Sequence, residues 1–354
     1  MSAAFTVKLG ERARRHIERE GLKASDITCI PAAAGGPKGL VLMPLDRWLF
    51  GEWLQEPKDL TLVGASIGAW RLAAAVHSDP VDALTRLEEG YIGNQNFGIK
   101  PGPGEVAAVM RGNLEANIGD WQPRPGIALR VLTARAVGSL DRTGSRSAFA
   151  RATLANTRGR VHLARHLQRV IFAHGPQSPL DQALANVDAF GAHIVPLTTA
   201  NRCDALMASG TIPIICDPVK AIHGAPEGWY WDGGLIDYHL HYPYAQMPGL
   251  TLYPHFTPSV TPGWLDKFLP WRTQGVKGRG SAWLSSMILI SPSPEFIAGL
   301  PNGKLPDRND FYRYEGDNPA RIAVWRRAAA ECNRLAEQVA RWLEKPDLKM
   351  AGTL

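Results

Sequence analysis

Two short apolar runs in the first eighty residues each break into a glycine-rich turn and lead straight into a stretch of helical composition. Residues 27–33 run into Ala34-Gly35-Gly36-Pro37-Lys38-Gly39, and residues 40–54, with Trp48 and Trp53, follow as an apolar helix. Leu60-Thr61-Leu62-Val63 runs into Gly64-Ala65-Ser66-Ile67-Gly68, and residues 69–77 follow as a second helix. A strand, a glycine turn and a helix, repeated at once, build a parallel sheet covered by helices. The expected fold is a three-layer α/β/α arrangement with a mainly parallel central sheet. With 354 residues, 45% hydrophobic and 20% charged, the chain can bury the core that such a sheet requires.

Later elements are read from the same signals. Residues 8–20 form a helix stopped by Gly21, and residues 127–133, 193–198, 250–256 and 287–290 are strands. Residues 98–104 are a Gly/Pro loop with no strand leading into it, so Gly102-Pro103-Gly104 is not a phosphate loop. Residues 319–345 form an amphipathic helix, capped by Asp317 or Asn318 and stopped by Pro346. Its stripe of Ile322, Trp325, Ala329, Cys332, Leu335, Val339 and Trp342 is a packing face. The organisation expected is one α/β domain over 1–316, with the amphipathic C-terminal helix of 317–354 packed on it.

The first turns carry the chemistry. A serine hydroxyl becomes a useful nucleophile when a tight strand-to-helix turn holds it above the sheet, and small residues must flank it there; Gly64 and Gly68 do so around Ser66. Adjacent glycines at 35 and 36, ahead of a helix start, let N–H groups converge on an anion. That suits a phosphate or the oxyanion of acyl transfer, but no GxxxxGK[ST] is present. Trp231-Asp232-Gly233-Gly234 places a carboxylate on a turn that lets it approach a hydroxyl closely. An ordinary aspartate is a weak base, so Asp232 needs a desolvated site, which Trp229, Tyr230 and Trp231 would supply.

The order GGxKG, GxSxG, DGG resembles the patatin-like phospholipases, Ser–Asp dyad lipid acyl hydrolases. Ala208-Ser209-Gly210-Thr211-Ile212-Pro213 is similar to the family's Ala-Ser-x-x-x-Pro segment, and the resemblance runs from about residue 27 to 237. It implies Ser66 as nucleophile, Asp232 as base, and the N–H groups of Gly35, Gly36 and Ile67 as the oxyanion hole. Lys38, Gly39, Gly64, Gly68, Gly233 and Gly234 complete the motifs. The turn departs from the family pattern at Ala34, where a glycine is usual, and Pro37 offers no N–H. The implied activity is hydrolysis of carboxylic esters of lipids, without metal or organic cofactor; acyl transfer to an alcohol would use the same residues.

Two alternatives stay open. One is a patatin-like scaffold that binds lipid or a partner with little catalysis. The other is a Ser-His-Asp hydrolase in the order Ser66, Asp217, His239. His239-Leu240-His241 has no third metal ligand at sensible spacing. Cys29, Cys203, Cys216 and Cys332 form no CxxC and read as reduced thiols of a cytoplasmic protein. No signal-peptide h-region opens the sequence and no apolar run is long enough for a membrane span, so any bilayer contact is peripheral. Two segments suit such contact with anionic lipid. One holds Arg142, Arg146, Arg151, Arg158, Arg160, Arg165 and Arg169 with no acid between them, and residues 161–172 within it have helical spacing. The other mixes Trp264, Lys267, Phe268, Trp271 and Arg272. A net charge of +6 does not call for nucleic acid, and no nucleic-acid module is present.

Overall fold

The computed structural model describes residues 3–118, 121–140, 146–273 and 279–354. Among these residues eleven strands form one sheet: β1 (Phe5–Leu9), β2 (Ile27–Ala32), β3 (Leu60–Ala65), β4 (Ile127–Ala136), β5 (Leu167–His174), β6 (His193–Pro196), β7 (Val219–Lys220), β8 (Trp229–Asp232), β9 (Leu250–Pro254), β10 (Met287–Pro292) and β11 (Ala351–Thr353). Their order is β11-β1-β10-β9-β2-β3-β4-β5-β6, with β8 on β4 and β7 on β8. The centre, β10-β9-β2-β3-β4, is parallel throughout. Helices flank the sheet, which makes the fold a three-layer α/β/α architecture. β3 is buried along its whole length, as expected of a central parallel strand covered on both faces.

One strand acts as the ruler for the site. β4 pairs parallel with β3 from Leu60↔Ile127 to Ala65↔Leu132. Immediately beyond, β4 pairs antiparallel with β8, from Thr133↔Asp232 to Arg135↔Tyr230. β3 and β8 therefore run head to head along one edge of β4 and stop at neighbouring rungs. Ser66 follows the last residue of β3, and Asp232 is the last residue of β8, so the ladder itself brings 66 to 232.

Several sequence expectations shift. The helix expected over 8–20 begins at Glu11, because Phe5–Leu9 pairs with β10 and ends at Gly10. A side chain at Gly10 would meet the Leu284 carbonyl oxygen at 2.1 Å, so the chain passes there without one. The apolar stretch after Pro37 is not one regular helix but a 3-10 turn (Gly36–Leu42), an α-helix (Met43–Trp48) and a π turn (Leu49–Trp53). Residues 161–172 are not a helix. After the single turn Arg160–Leu163 the chain enters β5, where Val170, Ile171 and Phe172 pair with β4. Helical and alternating patterns both fit that stretch, and the partner strand decides between them.

The C-terminal helix spans Asn318–Glu344, with the Asp317 carboxylate accepting the Ala320 N–H. Every residue of the expected stripe is buried except Ile322, which is half-buried. Trp325 is fully buried and its indole donates to Asp310 at 2.9 Å. Beyond the helix, β11 adds a parallel rung to β1. Among the described residues no helix is long and apolar enough to cross a membrane.

Candidate active site

Ser66 stands between β3 and the helix Ile67–Ala75 with φ 57° and ψ −134°. Non-glycine residues rarely adopt such a conformation, at a cost of about 1–3 kcal/mol, and it persists only where the surroundings enforce it. The surroundings are visible. A Cβ on Gly68 would lie 2.0 Å from the Ala32 carbonyl oxygen, and one on Gly64 would lie 2.7 Å from the Ala69 nitrogen. Strand and helix touch at both positions, and only glycine permits it. The Ser66 N–H donates to the Ser209 hydroxyl at 2.9 Å, and that hydroxyl donates to the Leu132 carbonyl at 2.7 Å. Ser209 thus fastens the turn to β4 from the helix Arg202–Gly210.

The Ser66 hydroxyl is near enough to the Asp232 carboxylate to hold its pKa down, and both residues line the smaller of two cavities at the turn. Both residues are buried. The same carboxylate accepts the Gly234 N–H at 2.7 Å, which holds it in place. Burial pushes the Asp232 carboxyl up to about 6, against the Ser66 hydroxyl, the Gly234 hydrogen bond and the charge of Arg308, which act downward. Gly233 is again a close approach: a Cβ there would lie 2.3 Å from the Leu132 carbonyl oxygen. A Cβ on Gly234 would sit 2.7 Å from that of Ala34.

Gly35 and Gly36 open the 3-10 turn Gly36–Leu42, where N–H groups have no intrahelical acceptor. Ile67 opens its helix in the same way. Gly35, Gly36 and Ser66 line two adjoining cavities; Ile67 lines the larger, of about 780 Å³, and Asp232 the smaller. Gly36 has φ 56°, a left-handed conformation suited to glycine. Gly39 lets Ile67 pack close: a Cβ there would stand 2.8 Å from the Ile67 side chain. Lys38 is half-buried, its ammonium 5.4 Å from the Phe256 ring centre, and loss of water lowers its pKa.

The structure does not assemble Ser66, Asp217 and His239. Asp217 is exposed. His239 is buried, and its Nδ1 lies 3.0 Å from the donating Thr261 N–H and 3.2 Å from the Ser259 carbonyl. Burial pushes its pKa down to about 3. Among the described residues no group of three or more His, Cys, Asp or Glu side chains is placed to hold a metal ion. The four cysteines are free, with Cys203 half-buried and the others buried.

No family model and no curated protein matches the chain. Among solved structures it is similar to VipD from Legionella pneumophila, with 12% identity, a TM-score of 0.31, and coverage of 97% of this chain and 70% of that chain.

Two contributors carry no recognisable sequence signal of their role. Arg308 lines both cavities, yet it lies in Pro306-Asp307-Arg308-Asn309, which matches no motif. Ser209 sits in the Ala-Ser-x-x-x-Pro segment, but its bond to the turn is a tertiary contact. The arginine-rich segment divides. Arg169 is fully buried on Asp237 and Asp188, and Arg160 pairs with Asp266, so neither presents charge to solvent as a free cation. Arg151, Arg158 and Arg165 are exposed, Arg146 lines the larger cavity, and Arg142 lies outside the described residues.

Proposed function

We propose that the chain is a serine lipid acyl hydrolase of the esterase or phospholipase type, working through an acyl-Ser66 intermediate. The observation that supports this most is that the ends of β3 and β8 bring Ser66 and a buried Asp232 together on one cavity. Asp232 takes the hydroxyl proton as Ser66 Oγ attacks the ester carbonyl carbon, and the carbonyl electron pair moves onto oxygen. The N–H groups of Gly35, Gly36 and Ile67 receive that oxyanion; one such preorganised donor is worth about 3 kcal/mol. The intermediate collapses, the C–O bond to the alcohol breaks, and the alcohol leaves with the proton from Asp232. Water then gives its proton to Asp232 as it attacks the acyl-enzyme, and the carboxylic acid departs as Ser66 regains its proton. A base raised toward neutrality suits both transfers.

The larger cavity supports a lipid substrate. Trp70, Phe97, Val106, Met110 and Ile215 line it as an apolar wall for an acyl chain. Exposed Ile214 and Tyr312 stand at its lining, exposed Phe268 packs against its Trp264 and Lys267, and exposed Trp271 follows three residues on. Apolar groups around an opening suit peripheral contact with a lipid surface.

The test is covalent labelling with a fluorophosphonate probe, with ester hydrolysis measured alongside. Wild-type protein is expected to label and to cleave lipid esters. Ser66→Ala is expected to abolish labelling, and Asp232→Asn to lower kcat by at least about a thousandfold. Folded wild-type protein that neither labels nor cleaves any of phospholipid, lysophospholipid or nitrophenyl ester would instead support a scaffold that binds without catalysis.

A further inference from the structure

Five cations, Lys38, Lys100, Arg146, Lys267 and Arg308, line the larger cavity against two acids, Asp307 and Glu315, and among the described residues Lys38, Lys267 and Arg308 form no ion pair. The Arg308 guanidinium is half-buried against the Trp264 ring at 5.9 Å and, among the described residues, has neither ion pair nor hydrogen-bond partner. Its side chain passes 3.8 Å from where a Cβ on Gly36 would lie, which puts it over the proposed oxyanion turn. The Lys267 ammonium lies on the rings of Trp264 and Phe268 at 4.5 and 4.7 Å. Lys38 lines the same cavity. Asp307 is the nearby acid that favours the charge on Lys38, but its carboxylate is already held by Lys304 at 2.9 Å and the Asn309 N–H at 2.8 Å.

Like charges gathered in a partly dry cavity repel; of the acids near them, Asp307 is held by Lys304, Glu315 accepts the Lys100 N–H at 3.0 Å, and Asp232 in the adjoining cavity meets only the charge of Arg308. The repulsion is felt: loss of water, then Arg308 and Lys38, push Lys267 down to about 8. A bound anion offsets the repulsion among the cations and favours the charged form of Lys267. The charge count also sets the kind of anion. A zwitterionic headgroup offers one negative charge and brings its own cation into the cluster. A terminal phosphate carries about −1.5 to −2 at pH 7 and three acceptor oxygens. Arginine engages two of those in a fork, and a lysine adds a point charge.

We propose that this site selects acyl esters bearing a terminal phosphate over zwitterionic and neutral esters, with Arg308 and Lys267 as specificity-determining residues beside Lys38. The proposal rests on the acyl-hydrolase reading, with the chain in the apolar part of the cavity and the phosphate over the cations.

Binding of ether-linked analogues tests it without requiring turnover. Alkylglycerol 3-phosphate, alkylglycerophosphocholine and alkylglycerol of one chain length, each below its micellar concentration, are titrated calorimetrically into wild-type and Ser66→Ala protein. The phosphate analogue is expected to bind at least about tenfold more tightly than the other two. Arg308→Gln and Lys267→Met are each expected to shrink that ratio several-fold. Inorganic phosphate alone should displace it only at far higher concentration; equal potency would mean that the recognised ligand is a small phosphate and would overturn the lipid assignment. Equal binding of the three analogues, or a ratio unmoved in both variants, would overturn the selectivity. Because the analogues are not cleaved, a failure here is separate from a failure of Ser66 labelling. Circular dichroism of the variants checks the fold; neither residue is an ion-pair partner in the described structure, so both variants are expected to fold.

Discussion

As the proposed base, Asp232 must be ionised to accept a proton, yet it is held where ionisation is costly. Its folded pKa of about 6 lies above the ordinary carboxyl value of 3.8. The folded protein therefore binds the extra proton between those two pH values, and stability falls as pH rises through them. The full cost, about 3 kcal/mol, is present above pH 6 and vanishes below about pH 4. Asp232→Asn is expected to raise stability by about that amount at pH 8 and by little at pH 3.5, measured by urea unfolding at the two values. Conversely, kcat/KM of the wild type is expected to rise with pH through about 6 and then level. A profile flat from pH 4.5 to 8 would remove Asp232 as the base. The residue was legible in sequence as an aspartate on a glycine turn; its environment was not, since burial depends on what the rest of the chain stacks over it.

At the scale of elements, the strand–turn–helix unit around Ser66 is held by backbone approach more than by side chains. Gly68→Ala forces a methyl group against the Ala32 carbonyl, with no flexible side chain to yield. Overpacking of this kind costs on the order of 3 kcal/mol. We expect Gly68→Ala to lower the unfolding midpoint strongly and to lose probe labelling, whereas Gly112→Ala, with open space around it, should do neither. Motif spacing exposed this unit because its steric demand is local. The stretch after Arg160 shows the opposite case. Its apolar spacing suits a helix, but Arg169 inside it needs Asp237 and Asp188, and β4 offers an unfilled edge. Both requirements come from distant residues, so local periodicity misleads.

For the whole molecule, the distribution of exposed apolar side chains matters more than any one of them. Phe268, Trp271 and Tyr312 are each more than 60% exposed; Phe268 and Tyr312 belong to segments that border the larger cavity, and Trp271 lies in the next short helix after Phe268. If that rim meets lipid, tryptophan emission should shift to the blue on adding anionic vesicles, and Trp271→Ala with Phe268→Ala should weaken vesicle binding by about tenfold or more. No shift with either anionic or neutral vesicles would remove peripheral docking through this face. The C-terminal helix belongs to the same scale. Its Trp325 reaches Asp310 and stacks edge-on with Phe311 at 5.2 Å, so it supports the segment that presents Arg308.

The order of motifs, the glycine positions and the apolar runs determine that strands alternate with helices and that Ser66 sits on a strained turn, because those demands act between residues close in the chain. The meeting of Ser66 with Asp232, the lack of a partner for Arg308 among the described residues and the division of the arginines into buried and exposed belong to the tertiary structure alone. They arise where β3 and β8 stop on adjacent rungs of β4 and where remote segments close over the cavity. Such contacts are decided by which edge each strand finds, a choice made by the packing of the entire sheet and encoded in no single stretch of residues.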